Sequence, residues 1–398
     1  MKIGILTFHR PANFGANLQA YATTRLLQAA GHEVKVIDYL RPVDRTYQTT
    51  IPQVQYKAHQ KFVESHLPLT RQVYDESGIR DVVIEERIEA IVVGADAVWR
   101  KPNDNNIFFC QWLRNDIRLK DVSIASLSPA HMGKGFKGLD PKSLASIKED
   151  LLRFDYITVR DSWTGYVINR DIFNGQGFKY LVNPDPVIML SDFINNQMFD
   201  SEGLEPKKYF LMTLPHNWCN GGRLSKLRHK WYMQFKRLVN DSGFSLVELP
   251  LPEGASGLHF DMTIKDGIDP IQWFLWIKNA KAFCGLRFHA IVSAISSGTP
   301  FYSMDSYGDN SRLSSILDLC KLHSLARKRD KMSKIYQLLA DTSMSEFRTG
   351  QLLETESPTK IFHMLYSTTE EQVLTLRKQK SSVFASNFAE LLNAIKHE

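Results

Sequence analysis

Between Lys2 and Asp38 the chain alternates in a way that few folds accommodate. Lys2-Ile3-Gly4-Ile5-Leu6-Thr7-Phe8 is short, apolar and β-compatible, and reads as a buried strand. Leu18, Tyr21, Ala22, Leu26 and Ala29 then recur at helical spacing, and Gly31 is placed to end that helix. Glu33-Val34-Lys35-Val36-Ile37-Asp38 reads as a second strand. Strand, helix, strand is a βαβ unit, because parallel strands need a crossover connection. The loop His9-Arg10-Pro11-Ala12-Asn13-Phe14-Gly15 must lie at the carboxyl end of the first strand, where such sheets bind ligands.

The alternation recurs along the chain. Strand readings fall on Ala90–Val93, on the segment 122–130 and at 154–159, the last running into a helix that Asp161 or Ser162 could cap. The polar stretch 191–207, ending in Glu-Pro-Lys, reads as a linker. A second set follows: strands near 208–215, 244–252, 281–286 and 299–305, with helices at 224–241, 269–280 and 287–297. Asp269 and Pro270 mark one helix start, and Gly298 marks the end of the last. Two alternating sets predict two Rossmann-like, doubly wound α/β domains facing a cleft. We place them at 1–195 and 196–330, with a helical segment at 331–398 that packs back on the first. At 398 residues the chain is too long for one comfortable core.

A formal charge of +6 suits a protein that handles anions but lacks the clustered basic stripe of a nucleic-acid binder, so no nucleic-acid partner is expected. Cys110, Cys219, Cys284 and Cys320 are scattered with no Cys-x-x-Cys pair, which argues against a zinc site and for free thiols in a reducing compartment. No metal site is expected. With no apolar run of bilayer length and no signal-peptide pattern, the expected location is the cytoplasm, with peripheral contact at the inner face of the membrane. Oligomeric state is not legible.

Four strand-to-helix junctions carry polar groups: Asn13-Phe14-Gly15, Gly94-Ala95-Asp96, Arg160-Asp161 and Leu286-Arg287-Phe288-His289. Each by itself also fits a turn, a helix cap or a core histidine. Their shared topological position raises them together. Arg287 and His289 near a helix start make a reasonable anion site, since the macrodipole and charge-assisted hydrogen bonds act together there. The chain has neither the Gly-x-x-x-x-Gly-Lys phosphate loop nor a Gly-x-Gly-x-x-Gly after a strand.

The segments ILTFHRPANFGANLQAYA, IVVGADAVW, ITVRDSWTGYVI, NPDPVIML and GLRFHAIVSAISSGTPFYSMD, in this order and spacing, resemble the polysaccharide pyruvyl transferase family. The resemblance implies a GT-B-like fold with an interdomain active site. It also implies transfer of the enolpyruvyl carbons of phosphoenolpyruvate to two hydroxyls of a bacterial surface glycan or its precursor. The products are a pyruvate ketal and phosphate, and no cofactor is needed. The acceptor is an oligosaccharide, with a lipid-linked one among the candidates. Carried over by motif, Arg160 and His289 would hold the donor's carboxylate and phosphate, and Asp96 would be the carboxylate near the reacting carbons. Asp96 and His289 share the acid and base roles in an order left open. Arg287 adds a second cation, while Asn13 and Gly15 line the acceptor side or shape the loop.

A lysine that family members often carry after the strand following the histidine helix is absent; Arg312 is the nearest cation. The loop 214–223 offers His216, Asn217 and Arg223 as ligand contacts. Trp99, Trp163 and Trp218 are candidates for stacking on a sugar or for anchoring cores. Two other readings remain at this level: a glycosyltransferase using a nucleotide sugar, and a non-catalytic glycan-binding partner in the same pathway.

Overall fold

A computed structural model describes residues 1–100, 106–114, 116–133, 135–216, 218–219, 225–304, 334–340, 342–348 and 356–396. Two compact units emerge. The first comprises Met1–Gln48, His59–Met189 and Lys380–Glu398; the second comprises Thr49–Ala58 and Leu190–Gln379.

Unit 1 is built on a parallel sheet of β1 (Lys2–Leu6), β2 (Glu33–Val36), β3 (Ala90–Val93), β4 (Ser123–Ser126), β5 (Tyr156–Val159) and β6 (Leu181–Val182), in the order β2-β1-β3-β4-β5-β6. Every residue of β3 and β4 is buried, as expected for a sheet covered by helices on both faces. Helix α1 (Phe14–Ala29) makes the first crossover, and the register sets Ile3 beside Val34 and Ala90. Its stop is Ala30, with Gly31 at φ 86° just beyond. α2 (Gln53–His66) and α3 (Glu76–Glu85) follow before β3. α3 is not evident from local propensity alone. Gly78, Val82 and Val83 weaken its intrinsic propensity, but Asp75 caps it and Ile79, Val82 and Val83 are buried. α4 (Pro141–Leu151) precedes β5, and α5 (Ser162–Asp171) follows it.

Unit 2 repeats the scheme with β7 (Tyr209–Thr213), β8 (Ser245–Glu248), β9 (Met262–Thr263), β10 (Ala282–Gly285) and β11 (Phe301–Ser303), ordered β11-β10-β7-β8-β9. All pairings within it are parallel. Its helices include α6 (Ser225–Asp241), α7 (Pro270–Asn279), α8 (Phe288–Ser297) and α9 (Pro358–Ser367). α7 starts as its sequence requires: Asp269 Oδ1 accepts from the Ile271 and Gln272 amides with Pro270 at the first position. The segment 49–58 joins this unit through Gln55, which accepts from the Gly267 and Ile268 amides and donates to the Ile268 carbonyl. A last helix, α10 (Glu370–Ala394), contributes its first residues to unit 2 and those from Lys380 onward to unit 1.

The strand orders locate the ligand end of each unit. In unit 1 the chain steps from β1 to β2 and then crosses to β3 on the other side of β1, so the order reverses between β1 and β3. In unit 2 the reversal lies between β7 and β10. Ligands of open α/β sheets bind at the carboxyl ends of the strands at such a switch point.

Candidate functional site

The loop after β1 is held by its own side chains. Asn13, extended at φ −146°, caps α1 by accepting from the Ala16 amide at 3.1 Å. Gly15 is the second residue of the helix and is buried. Asn17, fully buried, donates to the His9 carbonyl at 2.7 Å and accepts from His59 Nδ1 at 2.6 Å. Burial pushes His59 down to about 3, so its ring is neutral. Gln19, also buried, donates to the Phe8 carbonyl at 2.8 Å and to Thr7 Oγ1 at 3.0 Å. Its Oε1 accepts from the Ala95 amide at 3.1 Å, which ties α1 to the turn after β3. Asn17 and Gln19 are not among the candidate site residues read from the sequence, although they stand inside the segment ILTFHRPANFGANLQAYA.

Gln19→Leu leaves the Ala95 amide and the Phe8 carbonyl buried without their partner. We expect the unfolding free energy from urea denaturation to fall by about 1–3 kcal/mol. Thr23→Val on the same helix should be neutral or stabilising, because the buried Thr23 hydroxyl has no partner among the described residues.

A second buried cluster anchors the foot of the loop. Arg10 donates to both Asp38 oxygens, Nε to Oδ1 at 2.8 Å and Nη2 to Oδ2 at 2.6 Å, while His9 Nε2 lies 3.0 Å from Oδ1. Burial alone would raise the Asp38 carboxyl, but hydrogen bonds from Arg10 and His9 outweigh it and hold Asp38 well below the usual carboxylate range. The sign follows. A depressed folded value contributes stability above the unfolded value of about 4, lost as pH falls through it toward the folded value. The stability gap between wild type and Asp38→Asn should therefore be widest near neutrality and close on acidification, as followed by urea midpoints.

Beyond β3, Gly94 has φ 111°, and a Cβ there would run into the Leu127 carbonyl. Asp96 itself has φ 70°, a left-handed conformation that aspartate tolerates better than most residues. The ladder extends past the strands to hold it: the Ala130 amide donates to the Asp96 carbonyl at 2.7 Å and the Arg160 amide to the Pro129 carbonyl at 2.9 Å. Arg160 thereby sits beside Asp96, its Nη2 3.9 Å from Asp96 Oδ1. Its Nη1 is 2.8 Å from Asp185 Oδ2. Arg160 and Asp185 side chains are 2% and 0% exposed, whereas that of Asp96 is 17% exposed, so Asp96 is the member of the cluster that reaches solvent. Burial works against the Arg160 charge, yet Asp185, Asp96 and Asp161 more than offset it and raise its value. Asp161 also caps α5, its Oδ1 accepting from the Thr164 amide at 2.8 Å.

Asp185, the buried partner of Arg160, is not among the candidates read from the sequence. Its signal was a carboxylate flanked by Pro184 and Pro186 after a strand. Asn183 in the same stretch donates to Ser128 Oγ at 3.0 Å, and Ser128 Oγ donates to the Pro184 carbonyl at 2.8 Å, which fixes Asp185 under Arg160.

In unit 2 the chain leaves β10 through Leu286, whose amide donates to the Thr213 carbonyl at 3.3 Å. Arg287 then takes φ 83° and ψ 126°, outside the regions open to residues with a side chain. Such strain persists only where surrounding structure holds it, and it gathers at functional sites. Arg287 Nη2 lies 3.1 Å from Glu253 Oε1 in a half-exposed pair, and His289 follows, half-buried in the first turn of α8. Arg287 gives α8 no side-chain cap. His216, after β7, is exposed and donates through Nδ1 to the Ala255 carbonyl at 2.8 Å, joining the loops after β7 and β8.

The structure therefore brings Asp96 and Arg160 together in unit 1, with Asn13 and Gly15 at the start of α1, and places Arg287 and His289 together in unit 2. Asn217, Arg223 and Arg312 lie outside the described residues. Of the two readings for Trp99 the structure selects the core anchor: it is fully buried, donates to the Phe108 carbonyl at 3.0 Å and stacks on Phe109. Trp163 and Trp218 are half-buried.

Fold and clusters define a protein of two parallel α/β units, each with charged side chains in left-handed or strained backbone at its switch point. The chain belongs to the polysaccharide pyruvyl transferase family, whose profile matches residues 13–307. Comparison with curated proteins returned no match. Similar solved structures include the UDP-GlcNAc 2-epimerase from Methanocaldococcus jannaschii, 13% identical over 92% of this chain and 100% of that one, TM-score 0.49. The UDP-GlcNAc 2-epimerase from Neisseria meningitidis is 11% identical over 97% and 100%, TM-score 0.48. The glycosyltransferase SnogD from Streptomyces nogalater is 11% identical over 100% of both chains, TM-score 0.46. These likenesses are distant, and the family rests on the sequence match.

Proposed function

We propose that this protein transfers the enolpyruvyl group of phosphoenolpyruvate to two hydroxyls of a surface-glycan sugar, forming a cyclic pyruvate ketal and releasing phosphate. The observation that carries the reading is Asp96, a partly exposed carboxylate at the unit 1 switch point, backed by a buried guanidinium in a member of a pyruvyl transferase family. The chemistry needs a proton donor, a proton acceptor and cations opposite the leaving phosphate.

Asp96 is the acceptor in this reading, being the carboxylate of the cluster that reaches solvent, with the Arg160 guanidinium 3.9 Å away. Arg160 acts through Asp96, its guanidinium being engaged by Asp185. His289 and Arg287 serve the donor's phosphate and carboxylate at the start of α8, where the helix dipole favours anions. His289 gives a proton to the methylene carbon, which becomes the ketal's methyl group, and positive charge develops on the carbon bearing the carboxylate. The first sugar oxygen bonds to that carbon and its proton passes to Asp96. The carbon–oxygen bond to phosphate then breaks, the second sugar oxygen takes its place, and the second proton leaves with phosphate. Proton exchange with water resets Asp96 and His289.

The donor assignment is tested by ligand-induced stabilisation. Phosphoenolpyruvate should raise the melting temperature, as any ligand of the native state does, and the shift should vanish in Arg287→Ala. A shift with UDP-sugars and none with phosphoenolpyruvate would instead make the protein a nucleotide-sugar glycosyltransferase.

A further inference from the structure

We propose that the outward face of α6 and its neighbour α9 docks unit 2 on an anionic lipid surface. α6 carries Lys226, Arg228, Lys230, Lys236 and Arg237 against one acid, Asp241. It buries Trp231, Tyr232, Phe235 and Val239 and turns Lys226, Lys230 and Arg237 to solvent. Two apolar side chains stand among these cations, Leu227 at 53% and Met233 at 48% exposure. α9 contains no acid and exposes Lys360 and Tyr366. The two strips adjoin, since Trp231 Nε1 donates to the Glu356 carbonyl at 3.0 Å and Gln234 Nε2 to Thr359 Oγ1 at 3.4 Å.

Local acids use up only part of the charge. Lys236 pairs with Asp261 at 2.9 Å and Arg237 with Asp241 at 3.3 Å. Lys226, Lys230 and Lys360 make no ion pair among the described residues. Cations alone would suit any polyanion. What favours lipid is the set of exposed Leu227, Met233 and Tyr366 between them: a soluble polyanion has no use for apolar side chains. A membrane interface takes aliphatic groups into the acyl boundary and tyrosine at headgroup depth. Basic residues beside an anionic leaflet add attraction that falls off within a Debye length.

The test is flotation of the full-length protein with vesicles, with neither donor nor acceptor present, so its outcome is independent of the proposed reaction. Binding is expected to equimolar phosphatidylglycerol and phosphatidylcholine and not to phosphatidylcholine alone. Lys226→Gln with Lys230→Gln should lower the partition coefficient roughly 30-fold, each cation being worth about fivefold near an anionic surface. Leu227→Ser with Met233→Ser should lower it severalfold, and both variants should melt as wild type does. Equal binding to neutral vesicles, or full binding by the lysine variant, overturns the proposal. So does a serine variant that keeps wild-type affinity for both the anionic vesicles and heparin, which would assign the face to a soluble polyanion.

Discussion

Arg160→Leu is expected to destabilise unit 1 by about 3–5 kcal/mol, the usual cost of stripping a buried charge of its partner. The side chain lost is 2% exposed and the one left behind, Asp185, is 0% exposed, so water cannot take over the missing contact. At ~2–4 °C per kcal/mol for a unit of this size, melting should fall by roughly 6–20 °C. Arg160→Lys should recover little, because one ammonium cannot serve Asp185 and Asp96 with the reach of a planar guanidinium. Arg160→Leu with Asp185→Leu should recover much of the loss, since removing both members of a buried pair leaves no orphaned charge. A double variant as unstable as the sum of the singles would mean that the ion pair is not the source of the effect.

Asp96→Asn and His289→Gln should behave oppositely, with large effects on rate and small ones on stability. Each removes a proton-transfer group, and such groups contribute about 10²–10⁴-fold. Neither is fully buried: the Asp96 side chain is 17% exposed, and His289 is half-buried. Near-wild-type melting together with loss of turnover would separate these residues from Arg160, whose loss moves both. Because acid and base act in one reaction, the double variant should lose no more than about the worse single. Full additivity would indicate independent roles.

Much of this arrangement can be read locally. The first βαβ unit, the Asp269–Pro270 helix start and the Gly298 stop are decided by residues within a few positions of one another. β9 escapes such reading because two residues carry no periodicity, and their pairing with β8 is decided by the sheet. α3 escapes it because burial of Ile79, Val82 and Val83 outweighs weak propensity. At the candidate site, Asp96 and Arg287 are marked by their position after strands, but their left-handed or strained backbone is not. The Arg160–Asp185 pair joins residues 25 apart, just beyond the ends of two different strands, and the Gln19–Ala95 bond joins residues 76 apart. No local pattern specifies such partners; the strand order does, by bringing β3, β5 and β6 to one carboxyl edge.

On the proposed reaction, phosphate leaves phosphoenolpyruvate only as a sugar ketal forms. The direct measurement is phosphate release from phosphoenolpyruvate across a panel of soluble and lipid-linked glycosides, with the product's new methyl group followed by NMR. The expected result is acceptor-dependent release, one phosphate for each ketal methyl, lost in His289→Gln and Asp96→Asn. Release that ignores the acceptor, or glycosyl transfer from a nucleotide sugar with phosphoenolpyruvate untouched, would contradict it.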